Sequence, residues 1–209
     1  MNQHNTDFAK RANAVFDRCV ADYHLRDHID AEKHNPYAEG TPESLLYDKC
    51  WIDSVQWHLE DIIRDPEIDP KEALALKRRI DVSNQERTDM VEDLDSYFRE
   101  LYKDVSPLPN AGINTESPAW AIDRLSILAL KIWHMREQYE RADADRAHKE
   151  RSLGRLEILE EQRKDLTEAI DTLLGEIARG SKYMKVYRQM KMYNDPETNP
   201  VLYGHKNNA

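Results

Sequence analysis

The stretch LKRRIDVSNQERTDMVEDLDSYFREL, Leu76 to Leu101, steps by three and four residues through Leu76, Ile80, Asn84, Arg87, Val91, Leu94, Phe98 and Leu101. That period is the face a helix turns toward a core, so the segment reads as one long amphipathic helix. Two positions break the apolar stripe. Asn84 and Arg87 stand where aliphatic side chains are expected, and a guanidinium buried alone costs several kcal/mol. Arg87 therefore requires a partner, either a carboxylate within the protein or an anion in a cleft.

Outward from this helix the chain reads as all-α. A first helix is expected over about Asn5 to Asp30, with Phe8, Ala12, Val15, Phe16, Cys19, Val20 and Tyr23 on one face. Thr41-Pro42 opens a second, the threonine as cap and the proline at the first helical position, with a stripe of Leu45, Ile52, Val55, Leu59 and Ile62 running to about Arg64. Asp69-Pro70-Lys71-Glu72 starts the helix quoted above, which is expected to reach about Lys103. The connection Asp104 to Glu116 holds Pro107, Pro109 and Gly112, and Ser117-Pro118 starts a long helix through Leu125, Leu128, Ile132, Met135, Tyr139 and Ala142. A later stripe, Leu156, Leu159, Arg163, Leu166, Ile170, Leu173 and Ile177, is out of phase with it across the polar stretch Asp143 to Gly154. Two antiparallel helices explain the change of phase better than one continuous rod, although both remain open at this point.

The resulting plan is an antiparallel helical bundle with a long helical hairpin or coiled-coil-like arm. Residues 1–145 form the body, 146–180 the returning helix of the hairpin, and 181–209 a short basic helix with an extended tail. Leucines and isoleucines on more than one side of the arm predict a homodimer.

Composition narrows the function. The 209 residues carry a formal charge of −10, which argues against broad capture of nucleic acid. No run of apolar residues is long enough for membrane insertion, and the start MNQHNTDFAK lacks a signal-peptide core, so a cytoplasmic location is expected. Cys19 and Cys50 have neither CxxC spacing nor surrounding ligands, and read as buried thiols. Lys182, Lys185, Arg188 and Lys191, interleaved with Tyr183, Met184, Tyr187, Met190 and Met192, form either a cationic strip or a helix with solvated lysines.

Counting heights along antiparallel helices at 1.5 Å per residue brings polar groups from four segments toward one layer: His24, Asp27, Asp48, Trp51, Asn84, Arg87, Lys131 and His134. Trp51, Asn84, Arg87 and Lys131 are the candidate ligand-binding residues, suited to a small anionic ligand. His24, Asp27 and His134 are the candidate catalytic groups, because histidine titrates near neutrality and a carboxylate can orient it. The competing reading is a closed ion-pair network around Arg87, with Asp27 or Asp48 as its partner. For a metal, no recognised ligand spacing is present and none is favoured. The alternative set is His58, Glu60, Asp61, Glu86 and Asp89, whose carboxylates would suit Mg or Mn holding a phosphoanhydride. His24 and His28 form an i,i+4 pair without a completed zinc spacing.

The runs YDKCWIDSVQWHLEDIIR (Tyr47–Arg64), IDRLSILALKI (Ile122–Ile132) and KVYRQMKMYN (Lys185–Asn194) resemble a bacterial family catalogued as domain of unknown function 4254. The resemblance spans nearly the whole chain and transfers no catalytic residue. It implies a link to bacterial surface-saccharide biosynthesis, where relatives are encoded near sugar-transferring enzymes. Two functions follow as expectations: a binding or scaffold protein that recognises a phosphorylated or nucleotide-linked sugar or holds a partner enzyme, and a divalent-metal-dependent hydrolase or transferase acting on a nucleotide or sugar phosphoanhydride.

Overall fold

The computed structural model describes residues 7–190, 192 and 195–204. Lys191 of the basic strip lies outside them. Five long helices build the body in chain order: α1 Phe8–His24, α2 Pro42–Ile62, α3 Pro70–Leu101, α4 Pro118–Glu140 and α5 Arg146–Ala178. The all-α reading holds. Thr41 caps α2 by accepting from the Ser44 N–H, and Asp69 caps α3 by accepting from Lys71 and Glu72, with proline at the first turn of both.

The core gathers side chains from all five long helices, including Phe16, Tyr47, Leu94, Leu125 and Leu174. A smaller cluster joins Leu59 to Leu76 and Ile80 at the α2–α3 end. Helix α2 packs against α1, α3 and α4 together, so its buried face is wider than the expected stripe. It includes Leu46, Tyr47, Cys50, Trp51, Lys49, Asp53 and Ser54, while Ile62 is exposed. Cys19 and Cys50 are buried free thiols.

The hairpin reading is the one observed. Helix α4 ends at Glu140 and α5 starts at Arg146, where Asp145 caps it by accepting from the His148 N–H at 2.6 Å. The returning helix is no free arm. Its second half lies along α1, with the Ala9 N–H on Asp171 at 2.8 Å, Asn13 on Thr167 at 2.8 Å and Arg163 clamping Asp17 through both terminal nitrogens. The face predicted to recruit a second copy is thus covered within the chain over Ile170 to Ile177, whereas Ile158 stays exposed.

Three expectations need correction. Helix α1 stops at His24 rather than near Asp30, because the chain closes over Tyr23: the N–H groups of Arg26 and Asp27 both donate to its carbonyl, and Asp27 sits in the left-handed region at φ 47°. The short basic helix after Arg179 is instead extended chain. Gly180, at φ 72°, turns the backbone so that Lys182–Tyr183 (β2) pairs in parallel with Gly112–Ile113 (β1). A Cβ at Gly180 would meet the Ser106 carbonyl at 2.7 Å, so glycine is required there. The tail also includes a short helix, α6 Pro200–Gly204, rather than remaining extended over its described residues. No helix among the described residues is long and apolar enough to cross a membrane.

Candidate metal centre

Three histidines from three helices meet beside the end of α1. His24 is the last residue of α1, His58 lies near the end of α2, and His134 faces them from α4. Their ring centroids form a nearly equilateral triangle, 5.3 Å from His24 to His58, 5.1 Å from His24 to His134 and 5.5 Å from His58 to His134. One ligating nitrogen from each lies within 4.8 Å of the others. Imidazoles bound through Nε2 to one tetrahedral zinc, at Zn–N of about 2.0–2.1 Å, stand about 5.2 Å apart between centroids. The observed triangle has that size.

Each ring is held by its other nitrogen. Nδ1 of His24 donates to the Val20 carbonyl at 2.7 Å, and Nδ1 of His58 to the Ser54 carbonyl at 2.8 Å, one turn back on their own helices. Nδ1 of His134 donates to the Glu137 carboxylate at 2.9 Å, whose other oxygen accepts from the Trp133 indole at 3.1 Å. All three acceptors are oxygens without a proton, so the hydrogen must sit on Nδ1. In the neutral rings Nε2 then carries a bare lone pair. The Nε2 atoms of His24 and His134 are buried and have no hydrogen-bond donor, and that of His58 faces Asp27 Oδ1 at 3.0 Å. Lone pairs and a carboxylate thus converge, and a cation matches such a set. Protonating His24 is a poor alternative, since burial first, and then the neighbouring His134 and His58, press its pKa below 6.5.

Aromatic rings fix the orientations. Trp133 stacks on His24 at 4.7 Å, Trp57 lies on His134 at 4.8 Å, and Tyr23 approaches His58 at 4.9 Å. Asp27 is 59% exposed at the side chain, so the cluster opens toward solvent on that side.

A second polar group surrounds Arg87. Its Nε donates to Asp53 Oδ1 at 2.6 Å and a terminal nitrogen to Asp123 Oδ1 at 3.1 Å. Lys49, fully buried, bridges the same two carboxylates, and Ser126 donates to Asp53 at 2.6 Å. Two cations and two anions balance. Burial alone would push the Arg87 pKa down, but Asp53 and Asp123 hold it above its ordinary value. The partners are therefore neither Asp27 nor Asp48. Asp48 instead pairs with Lys33 at 2.7 Å and accepts from Asn35 at 3.0 Å. Arg87 also borders a cleft of about 360 Å³ with Asp53, Gln56, Trp57, Glu60, Asp61, Arg64 and Ile127.

The predicted layer is therefore split. His24, Asp27 and His134 meet, joined by His58 from the metal alternative. Asn84 accepts from Gln56 at 2.8 Å beside the Arg87 network. Trp51 is a core residue between Tyr23 and Tyr47, and exposed Lys131 lines a separate groove between α4 and α5. The remaining metal candidates do not join His58. Glu60 pairs with Arg64, Asp89 accepts from Gln85, and Glu86 and Asp89 lie on the exposed face of α3. His28 is exposed and interacts with Asp30.

Neither the curated proteins nor the solved structures yield a match to the chain. The family described as "Protein of unknown function (DUF4254)" matches residues 43–186, a stretch that holds His58 and His134 and is preceded by His24 and Asp27, and the chain belongs to it.

Proposed function

We propose that the protein is a divalent-metal-dependent hydrolase or transferase whose ion is held by His24, His58 and His134. The observation that carries this reading is the tautomer argument: every Nδ1 is spent on an oxygen, leaving the Nε2 atoms of His24 and His134 as buried lone pairs and that of His58 beside Asp27, with one nitrogen of each ring within 4.8 Å of the others. Imidazole ligands suit zinc and neighbouring transition metals, whereas magnesium prefers an oxygen cage. Zinc thus replaces magnesium as the preferred ion. Three protein ligands with a fourth position toward solvent is the pattern of a catalytic rather than a closed site.

When bound, such an ion acidifies water and polarises a phosphoryl oxygen. Asp27, exposed at the solvent side and 3.0 Å from His58 Nε2, would be the group to hold a proton there. Trp57 borders both the His134 ring and the neighbouring cleft, where Arg64 would have to leave Glu60, and Arg87 would remain shared with Asp53 and Asp123, to meet the phosphates of a nucleotide or sugar phosphoanhydride.

The test is metal analysis of purified protein, followed by turnover of nucleotide-sugars after loading with zinc, manganese or magnesium. One zinc per chain, lost in His58→Ala, with phosphate release only in the loaded protein, is expected. A wild-type protein that takes up none of the three metals would end the reading.

The binding or scaffold reading keeps one supporting observation. Asp27 Oδ1 is close enough to His58 Nε2 to serve as a fourth ligand, which would make the ion a structural staple joining α1, α2 and α4. Chelation would then lower the melting temperature sharply, and the loaded protein would bind sugar phosphates without turnover.

A further inference from the structure

About two turns further along α3 from Arg87, a pocket of about 460 Å³ lies where α3, the start of α4 and the chain after β2 meet. Asp95 of α3 and Ser117, the residue preceding α4, both line it and are more than nine-tenths buried. Neither Asp95 Oδ1 nor Ser117 Oγ makes a hydrogen bond of good geometry, although Ser117 occupies the cap position of α4 and its hydroxyl lies close enough to Asp95 to offset part of the cost of burying the carboxylate. Among the described residues no cation pairs with Asp95. The remaining charges on the wall are Glu116, paired with Arg124 at 3.1 Å, and the exposed Lys185. Trp120, Met184 and Tyr187 supply apolar and aromatic surface.

The strap that closes one side is fixed in place rather than draped. The Leu108 N–H donates to the Gly180 carbonyl at 2.9 Å and the Gly112 N–H to Ser181 at 3.1 Å, while the Gln189 N–H donates to Glu92 at 3.1 Å. The turn at Gly180 described above thus delivers Met184 and Tyr187 to the pocket.

We infer that this pocket is a binding site for a small organic cation, an amine or amidine carrying N–H donors on an apolar or planar body. A buried carboxylate oxygen without a donor is costly unless one is supplied, and a charged N–H is the strongest candidate. Aromatic rings beside the carboxylate favour the same charge through cation–π attraction. A phosphate or carboxylate ligand would instead face Asp95 across the pocket. This site shares no residue with the histidine cluster, and its test is independent of any metal.

The experiment is a titration of the whole chain, followed by the Trp120 indole N–H in ¹H–¹⁵N spectra and assigned with Trp120→Phe. The probes are benzylamine, benzyl alcohol and benzoate, which share a ring and differ in charge. Benzylamine is expected to give a saturable shift with affinity at least tenfold above benzyl alcohol, and benzoate none. Asp95→Asn removes the charge at constant shape and is expected to abolish that preference. Tyr187→Ala alters only the exposed strap and is expected to weaken benzylamine several-fold. Equal responses to all three probes, or no saturable response to benzylamine, would overturn the proposal. Should Asp95→Asn fail to fold, Tyr187→Ala decides: unchanged benzylamine affinity in that variant would overturn it as well.

Discussion

Trp57 lies nearly parallel to His134, with ring centroids 4.8 Å apart and planes inclined by 13°. The two residues come from α2 and α4, so the stack fixes the imidazole from outside its own helix while Glu137 holds its Nδ1 from within. Outer-shell partners of metal-binding histidines set ring orientation and commonly change affinity by about 10- to 100-fold when removed. Trp57→Leu is accordingly expected to weaken zinc binding by about that factor. Competition with a chelator would measure it, and circular dichroism should show unchanged helix content. Zinc affinity equal to wild type would mean that the indole only fills space.

Asp53 makes the converse point about the Arg87 network. It is fully buried and receives Lys49, Arg87 and Ser126 together, so neutralising it leaves two cations sharing Asp123. Breaking a buried ion pair from one side costs about 3–5 kcal/mol. Asp53→Asn is expected to fall in that range by urea denaturation, provided the variant folds. Asp123→Asn should cost less, because Asp123 is 14% exposed at the side chain and water can replace part of the lost charge. Similar costs for the two variants would show that exposure does not rank them.

The histidine cluster predicts a pH dependence whose sign can be worked out. His24 in the folded chain has a pKa below the ordinary 6.5, because burial and then His134 and His58 disfavour its charge. The unfolded chain therefore takes up a proton first. Stability from this residue is fully present above pH 6.5 and is lost as the pH falls through the lower folded value. Asp95 and Asp171 act oppositely and in a more acidic window: burial raises both above 3.8, so their contribution is fullest below that pH and is lost as pH rises through the raised values. Chelator-treated protein should thus lose stability on acidification below pH 6.5, and His24→Phe, which keeps a ring against Trp133, should flatten that part of the profile. An unchanged slope in the variant would place the proton elsewhere.

How far these residues could be read from sequence differs between fold and site. Thr41, Asp69 and the stripe through Val91 and Phe98 act locally, through caps and period, and they announce their helices. The metal candidates act one per helix, so a search for spacing within a helix, such as His24 with His28, misses them. A signal was present nonetheless. Tyr23-His24-Leu25, Trp57-His58-Leu59 and Trp133-His134-Met135 repeat an aromatic, histidine, aliphatic triplet on three helices, and the aromatic residues are those packed around the cluster. Height counting brings His24, Asp27 and His134 together but misplaces Asp48, for a separate reason. It assumes that a loop turns midway, but residues 25–41 run back along α2, leaving His24 beside His58, which lies about 24 Å along the helix from Pro42. The same assumption sent Arg87 toward Asp48 when Asp53, more than one turn further along α2, was its partner.

Asp27 separates the catalytic and structural readings of the centre. Its φ of 47° is a conformation that glycine adopts freely and that aspartate tolerates at some cost, and its backbone N–H closes α1 on the Tyr23 carbonyl at 3.0 Å. Asp27→Gly therefore removes the carboxylate while keeping the turn, and the metal-free variant is expected to be as stable as wild type or slightly more so. If three histidines hold the ion and Asp27 takes a proton from water, Asp27→Gly should keep zinc within about tenfold of wild-type affinity while phosphate release falls by about 100-fold or more. If Asp27 is instead the fourth ligand of a structural ion, the ordering reverses: zinc affinity drops and the stabilisation by zinc shrinks with it. Measuring zinc affinity, turnover and melting temperature on the one variant distinguishes them. Full retention of all three would exclude Asp27 from both roles and leave the histidines as the whole site.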